Sequence, residues 1–143
     1  MTRINVVPTH CLSDKHLLAE YRELPRVFTA VKKLTEEGRW KTYDIPYKYK
    51  LGTGHVKFFY NKLEWLLARY FLLMRELRRR NVKLNLELYG TISNNAARLI
   101  QSLPSSQQIQ GWKPTPEDMY LNMARLVKRS NFEEAKEEMQ SGD

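Results

Sequence analysis

Residues 61–80 read NKLEWLLARYFLLMRELRRR, and this stretch decides the fold. Its apolar residues recur at three- and four-residue spacing, which predicts an amphipathic helix with one buried stripe. The stripe consists of Leu63, Leu66, Leu67, Tyr70, Leu73, Met74 and Leu77. Three arginines close the last turn, where cations complement the helix dipole. Asn61 with Glu64 three residues later resembles a capping box, although the helix could also start near Gly54.

A second helical pattern lies upstream, over residues 13–37. Ser13 or Asp14 suits its N-cap, and Gly38 suits its end. Pro25 lies inside the pattern and lacks an N–H, so we expect a bend there. Residues 39–53, between the two helices, are rich in aromatic and basic residues without periodicity, which predicts a loop packed by its aromatic side chains.

Downstream of residue 80 the pattern is weaker. Residues 82–88 alternate like a strand, but no second strand pattern is available to pair with them, and a lone strand is unstable. Residues 94–103 predict a short helix, and residues 105–108 predict a surface loop. A third strong helix is predicted from Thr115, a good N-cap, with Pro116 at the first helical position.

This third helix carries two rows of side chains. Its apolar row consists of Met119, Met123 and Leu126. A polar row on the opposite side consists of Asn122, Arg125 and Arg129. Residues 133–143 are acidic and polar, so we expect a frayed tail after a domain that spans residues 1–132. The sequence therefore predicts an all-α fold, a single compact domain of three main helices with long irregular loops.

Composition narrows the class of protein. A chain of 143 residues that is 42% apolar can bury a hydrophobic core. Its 24 Lys and Arg residues against 16 acids give a net charge of +8, which favours a polyanionic partner such as nucleic acid. The lone Cys11 excludes an internal disulfide and fits a reducing, intracellular compartment. No apolar run approaches the length of a membrane span, so we expect a soluble protein without a membrane partner.

The first predicted helix carries a charged face whose side chains could bind a ligand or take part in catalysis. His16 and Glu23 are seven residues apart and share one side of the helix, with Arg22 and Arg26 beside them. Together with Arg3, these arginines suit recognition of planar phosphate groups. The same stripe is also typical of a solvated face with weak ion pairs, each contributing about 0–1 kcal/mol.

The second residue offers a possible nucleophile. Removal of Met1 before the small Thr2 would expose an α-amine beside Arg3. Such an amine has an ordinary pKa near 8, so about a tenth is neutral at pH 7, and neighbouring arginines lower the pKa further. A neutral amine can attack an electrophilic sugar carbon and form an imine. Glu23, on the charged face, is the candidate to assist proton transfer and to stabilise the developing positive charge.

Other chemistries find little support. His10, Cys11 and His16 lack the paired spacing of zinc sites, so we expect no metal. The run Gly52-Thr53-Gly54-His55 is too short for a phosphate-binding loop and does not follow a strand; it predicts a tight turn that needs a flexible backbone.

Three segments carry a family resemblance. They are residues 1–5 (MTRIN), 14–28 (DKHLLAEYRELPRVF) and 51–64 (LGTGHVKFFYNKLE). Together they resemble the pyrimidine-dimer DNA glycosylase family of the phage endonuclease V type, over about residues 1–77. The resemblance implies an all-α fold whose N-terminal segment is threaded between the first and last helices, with the Thr2 amine against Glu23. Lys15 departs from the glutamine expected in the family, and the acidic tail replaces an aromatic-rich end.

The resemblance also implies an activity. The substrate would be double-stranded DNA with UV-induced cyclobutane pyrimidine dimers, and the enzyme a DNA glycosylase and AP lyase without metal or cofactor, acting as a monomer. The Thr2 amine would attack C1′ of the 5′ pyrimidine and hold the sugar as an imine, and β-elimination would nick the strand. Glu23 would be the essential carboxylate. The implied DNA contacts are Arg3, Arg22 and Arg26 with His16 nearby, and Arg125 and Arg129 on the last helix.

A second hypothesis is a non-enzymatic helical DNA-binding module. Its arginines would contact phosphate alone, so its binding would be salt-sensitive and indifferent to the lesion.

Overall fold

The computed structural model describes residues 3–127, and every regular element within them is helical. The α-helices of this part are α1 (Asp14–Glu23), α2 (Pro25–Glu36), α3 (Leu63–Arg79), α4 (Leu86–Ser102) and α5, residues 116–127. Short 3-10 helices lie in the connections, at Thr9–Cys11, Thr42–Asp44, Lys57–Phe59 and Ser105–Gln107. The all-α prediction is confirmed for these residues. None of their helices has the length and apolar character needed to cross a membrane.

The predicted helix over residues 13–37 is two helices that meet at Leu24. Ser13 caps α1 by accepting a hydrogen bond from the His16 N–H at 3.2 Å. Pro25 stands at the first position of α2, where its missing N–H costs nothing to that helix but leaves the Tyr21 carbonyl of α1 without its helical donor. The prediction of one bent helix is therefore corrected: the proline starts a new helix.

The start of α3 differs from its prediction. The capping box at Asn61 is wrong, because Lys62 is the N-cap residue and makes no side-chain cap. Instead, the Gln108 Oε1 accepts a hydrogen bond from the Leu63 N–H at 3.0 Å, and its Nε2 donates to the Tyr60 carbonyl at 2.9 Å. A residue predicted to lie in a surface loop thus caps a helix that begins 45 residues earlier.

The strand-like alternation of residues 82–88 does not form a strand. Asn85 caps α4 by accepting a hydrogen bond from the Leu88 N–H at 3.0 Å, so the alternation runs into the first helical turn. This helix has 17 residues, where the sequence predicted a short helix over 94–103. The expectation of three main helices is therefore wrong, because α4 is as long as α3.

One hydrophobic core joins these helices. Its fully buried side chains include Leu17 of α1, Val31 of α2 and Leu73 of α3. The loop over residues 39–53 is packed by its aromatics only in part. Tyr49 is buried, whereas Tyr43 and Tyr47 are 79% and 95% exposed.

The N-terminal segment, residues 4–7, is buried without being a strand or a helix. Side chains take the place of a secondary-structure partner. The His55 Nε2 accepts a hydrogen bond from the Ile4 N–H at 2.8 Å, and the Asn122 Oδ1 accepts from the N–H groups of Val6 and Val7 at 2.7 and 3.2 Å. Asn122 was predicted on an outward polar row of the last helix. It is 1% exposed, because its amide serves this segment.

A buried ion pair lies beneath the same segment. Glu20 of α1 and Arg69 of α3 are 1% and 4% exposed, and the guanidinium donates to both carboxylate oxygens, at 2.8 and 3.1 Å. Asn5 donates a further hydrogen bond to Glu20 at 2.8 Å, and Arg69 donates to the Val7 carbonyl at 2.5 Å. The pair therefore binds α1, α3 and the N-terminal segment to one another.

The limits of a domain over residues 1–132 and of a tail over 133–143 fall beyond residue 127. They lie outside the described residues and stay predictions.

We expect Arg69→Met to lower the free energy of unfolding by about 3–5 kcal/mol, because it leaves a buried carboxylate without its cation. Urea unfolding measures the change. The matched control is Lys32→Met, which breaks an ion pair with Glu36 whose side chains are 63% and 66% exposed and should cost less than about 1 kcal/mol. A similar cost for the two variants would contradict the importance of the buried pair.

We also expect His55 to make stability depend on pH. Burial lowers the pKa of His55 below its ordinary value of 6.5, and the charge of Arg3 acts in the same direction. The Nδ1 lies 2.7 Å from the Lys50 carbonyl, so it carries the proton while Nε2 accepts from Ile4. Because the unfolded chain takes up the proton first as pH falls, this contribution is complete above pH 6.5 and is lost progressively below it.

His55→Gln keeps an acceptor and does not titrate. Urea unfolding between pH 7.5 and pH 5, in steps of about half a unit, should therefore give a shallower loss of stability for the variant than for the parent. If the variant and the parent lost stability in parallel as the pH falls, His55 would not be the group that makes stability depend on pH.

Candidate active site

A cavity of about 280 Å³ lies where α1, α5 and the N-terminal segment meet. Its lining residues are Arg3, Asn5, Lys15, His16, Ala19, Glu20, Glu23, Arg125 and Leu126. Four of the predicted site residues therefore line this cavity, although they come from both ends of the described chain. They are Arg3, His16, Glu23 and Arg125.

Helix α1 supplies one wall through residues spaced three and four apart, which fall on one face. The start of this helix also orients His16, because the Ser13 Oγ that caps the helix lies 3.0 Å from the imidazole Nδ1. His16 and Glu23 are half-buried at opposite ends of the wall. The predicted common face of these two residues is thus realised in the folded chain.

Two carboxylates face the cavity, and their surroundings differ. Glu20 is buried, and its charge is balanced by Arg69. Glu23, one turn later, is half-buried and lines the cavity together with the cationic groups of Arg3, Lys15 and Arg125. The cavity therefore has an excess of positive charge, which suits an anionic ligand. It also offers one carboxylate outside the buried ion pair, able to move a proton or to stabilise a cation.

The position of Arg3 depends on how the next residue, Ile4, is held. His55, which holds the Ile4 N–H, sits at the end of a tight turn in which Gly52 and Gly54 have φ values of 75° and 89°. A side chain at Gly54 would also meet Pro46, whose Cγ would lie 3.2 Å from the added carbon. The predicted tight turn is confirmed, and its function is to present His55 to the N-terminal segment.

The other predicted site residues are not brought to this cavity. Arg22 and Arg26 are exposed on α1 and α2 and do not line it. Arg26 instead borders a larger cleft of about 800 Å³ between α2 and α4. Thr2 and Arg129 lie outside the described residues, so their placement stays a prediction.

Sequence reasoning missed the buried polar residues that support the cavity. Glu20 falls between Leu17 and Leu24 at spacings of three and four residues, on the apolar stripe of the first helical pattern. Arg69 falls in the same way between Leu66 and Leu73. A charge within an apolar stripe signals a buried ion that needs a partner. Two such charges of opposite sign on the first two strong helices could have predicted this pair.

A comparison with known protein families completes the description of the site. The family model for pyrimidine dimer DNA glycosylases matches residues 1–90, a range that includes α1, α2, α3 and the turn before His55. The family described in this way consists of DNA-repair enzymes, glycosylases whose substrate is DNA that contains pyrimidine dimers. Since the match covers more than half of the 143 residues, the chain belongs to the pyrimidine dimer DNA glycosylase family.

Proposed function

We propose that the chain cleaves the glycosidic bond of the 5′ pyrimidine of a UV-induced cyclobutane dimer in duplex DNA and then nicks the strand, with the α-amine of Thr2 as nucleophile. The observation that carries this proposal is the cavity that gathers Arg3, Glu23 and Arg125. Thr2 directly precedes Arg3 in the sequence, and one residue spans at most about 3.6 Å, which supports the choice of the Thr2 amine as the nucleophile of this cavity. A single covalent intermediate, the imine between Thr2 and the sugar, would account for both the glycosylase and the AP lyase activity.

The chemistry starts with attack of the neutral amine on C1′ of the damaged nucleotide. The bond from C1′ to the base breaks, and its electron pair goes to the base, which takes up a proton and stays joined to the 3′ pyrimidine through the cyclobutane ring. The amine gives up two protons in total, one to match the proton taken up by the base and one to O4′ as the bond from C1′ to O4′ breaks and the sugar ring opens. An imine between Thr2 and C1′ remains. Removal of a proton from C2′ then expels the 3′ phosphate by β-elimination, and water releases the amine.

Glu23 is the residue proposed to assist these proton transfers. Its half-buried carboxylate lines the cavity that Arg3 also lines, so it can stabilise the cationic character that develops at the sugar. The cations have a second effect, because they favour the neutral form of a nearby amine and so lower its pKa. The proposal assigns DNA contacts to Arg3, His16 and Arg125 in the cavity, and to Arg22, Arg26 and Arg129 around it.

Borohydride trapping tests the covalent step. Protein whose first residue is Thr2, verified by mass spectrometry, should form a covalent adduct with a duplex that contains a dimer and with no undamaged duplex. Protein acetylated at its α-amine should form none. Trapping of the acetylated protein would rule out the terminal amine as nucleophile.

We expect Glu23→Gln to slow single-turnover strand cleavage by about 10²–10⁴-fold, because an amide can neither transfer the proton nor balance the charge. Affinity for the damaged duplex, measured by fluorescence anisotropy, should change little. The control is Glu64→Gln, the same exchange at an exposed position of α3. Loss of binding in parallel with cleavage would show that Glu23 recognises DNA instead.

The assigned phosphate contacts predict the salt dependence of binding. Arg125→Ala and Arg22→Ala should each reduce the slope of log K against log salt by about 0.9, the value expected for one lost phosphate contact on duplex DNA. Arg39 bonds to Glu37 beyond the far end of α2, so Arg39→Ala should leave the slope unchanged. An unchanged slope in an assigned variant would remove that arginine from the interface.

A further inference from the structure

Asn122 makes three hydrogen bonds to the N-terminal segment across more than a hundred residues of sequence. Its Oδ1 accepts from the N–H groups of Val6 and Val7, and its Nδ2 donates to the Asn5 Oδ1 at 2.8 Å. The side chain is 1% exposed, so no water competes for these groups. One amide of α5 therefore fixes three consecutive residues of the segment in a single register.

The same helix also forms a wall of the cavity. Arg125 follows Asn122 by three residues, which is nearly one turn of α5, and it lines the cavity that Arg3 also lines. Arg3 in turn precedes Asn5 by two residues. Asn122 thus fixes the distance between a cation carried by α5 and the chain that leads to the amino terminus.

From these contacts we infer that Asn122 is a positioning residue: it sets how far the amino terminus reaches into the cavity. This inference rests on the proposed function, in which the terminal amine is the nucleophile. A register shift of one residue would move the amine by about 3.6 Å, and a displacement of even 1 Å can slow a reaction by about 10²-fold. The required precision cannot come from the terminal residues alone, because an unanchored chain end samples many positions.

Positioning also has an electrostatic effect that is measurable without DNA. Among the charged groups that line the cavity, Arg3, Lys15 and Arg125 lower the pKa of an amine held there, as does His16 when protonated, and Glu23 raises it, while Glu20 is balanced by Arg69. Because the cations outnumber Glu23, we expect the pKa of a held amine to lie below the ordinary 7.7–8.0 of a free terminus. An amine released from the cavity returns toward that range. The pH dependence of its reaction with an acylating reagent, followed by mass spectrometry of the terminal peptide, reports this pKa in the protein alone.

The experiment compares Asn122→Ala with the parent protein and with Val31→Ala, a control that destabilises the core at α2 and does not line the cavity. At saturating damaged duplex, Asn122→Ala should slow single-turnover imine formation by about 10²-fold or more, with little change in affinity. The pKa of its α-amine should rise toward about 8, whereas Val31→Ala should match the parent in both measurements.

A second variant covers the case in which Asn122→Ala does not fold. Insertion of one glycine between Thr2 and Arg3 leaves the sequence of residues 3–127 unchanged, including Asn122 and its partners, and moves the amine by one residue. It should reproduce the slow imine formation. Normal imine formation in the inserted protein, or a parental amine pKa and rate in folded Asn122→Ala, would overturn the inference.

The outcomes also separate this inference from the proposed function. If the parent forms no adduct, the proposed nucleophile is wrong, yet the amine pKa still shows whether Asn122 anchors the terminus. If the parent forms the adduct and Asn122→Ala forms it equally fast, the nucleophile is right and the positioning role is wrong.

Discussion

The buried ion pair between Glu20 and Arg69 is the contact on which the arrangement of this protein depends. Removing two charges from water costs several kcal/mol for each ion, so such a pair is tolerated only where the remaining polar atoms are also bonded. Asn5 and the Val7 carbonyl meet this need. As a result, α1 and α3 can approach only in the arrangement that also seats the N-terminal segment, since any other would leave a charge or an amide unsatisfied.

The same constraint separates two acids that are almost neighbours in sequence. Glu20 and Glu23 lie one turn apart on α1, but the first is committed to Arg69 while the second lines the cavity. Both residues are glutamates, so it is their surroundings that distinguish the structural carboxylate from the one proposed for catalysis. The ion pair lies inside the region matched by the family, whereas the wall formed by Arg125 and Leu126 comes from sequence beyond residue 90.

Local patterns predicted the parts of the fold that local physics determines. The apolar stripe of α3, the Ser13 cap and the start of α5 at Pro116 all depend on residues within one or two turns, and each is found in the structure. In α5, the Thr115 Oγ1 accepts from the Asp118 N–H at 3.1 Å. The cap of α3 by Gln108 and the burial of Asn122 could not be read in this way, because both depend on partners at least 45 residues away. The alternation before α4 misled for the opposite reason, since a short local pattern was outweighed by the Asn85 cap.

The bonds between Val6, Val7 and Asn122 have a consequence for how the molecule is made. The ribosome delivers residue 6 more than a hundred residues before residue 122, and contacts of such high sequence separation form late because the intervening loop must first close. Residues 4–7 therefore wait, with their amides bonded to water, until α5 has been synthesised. Chains that end before α5 lack Asn122 and its hydrogen bonds to Val6 and Val7. The cavity can therefore form only after α5 has been synthesised.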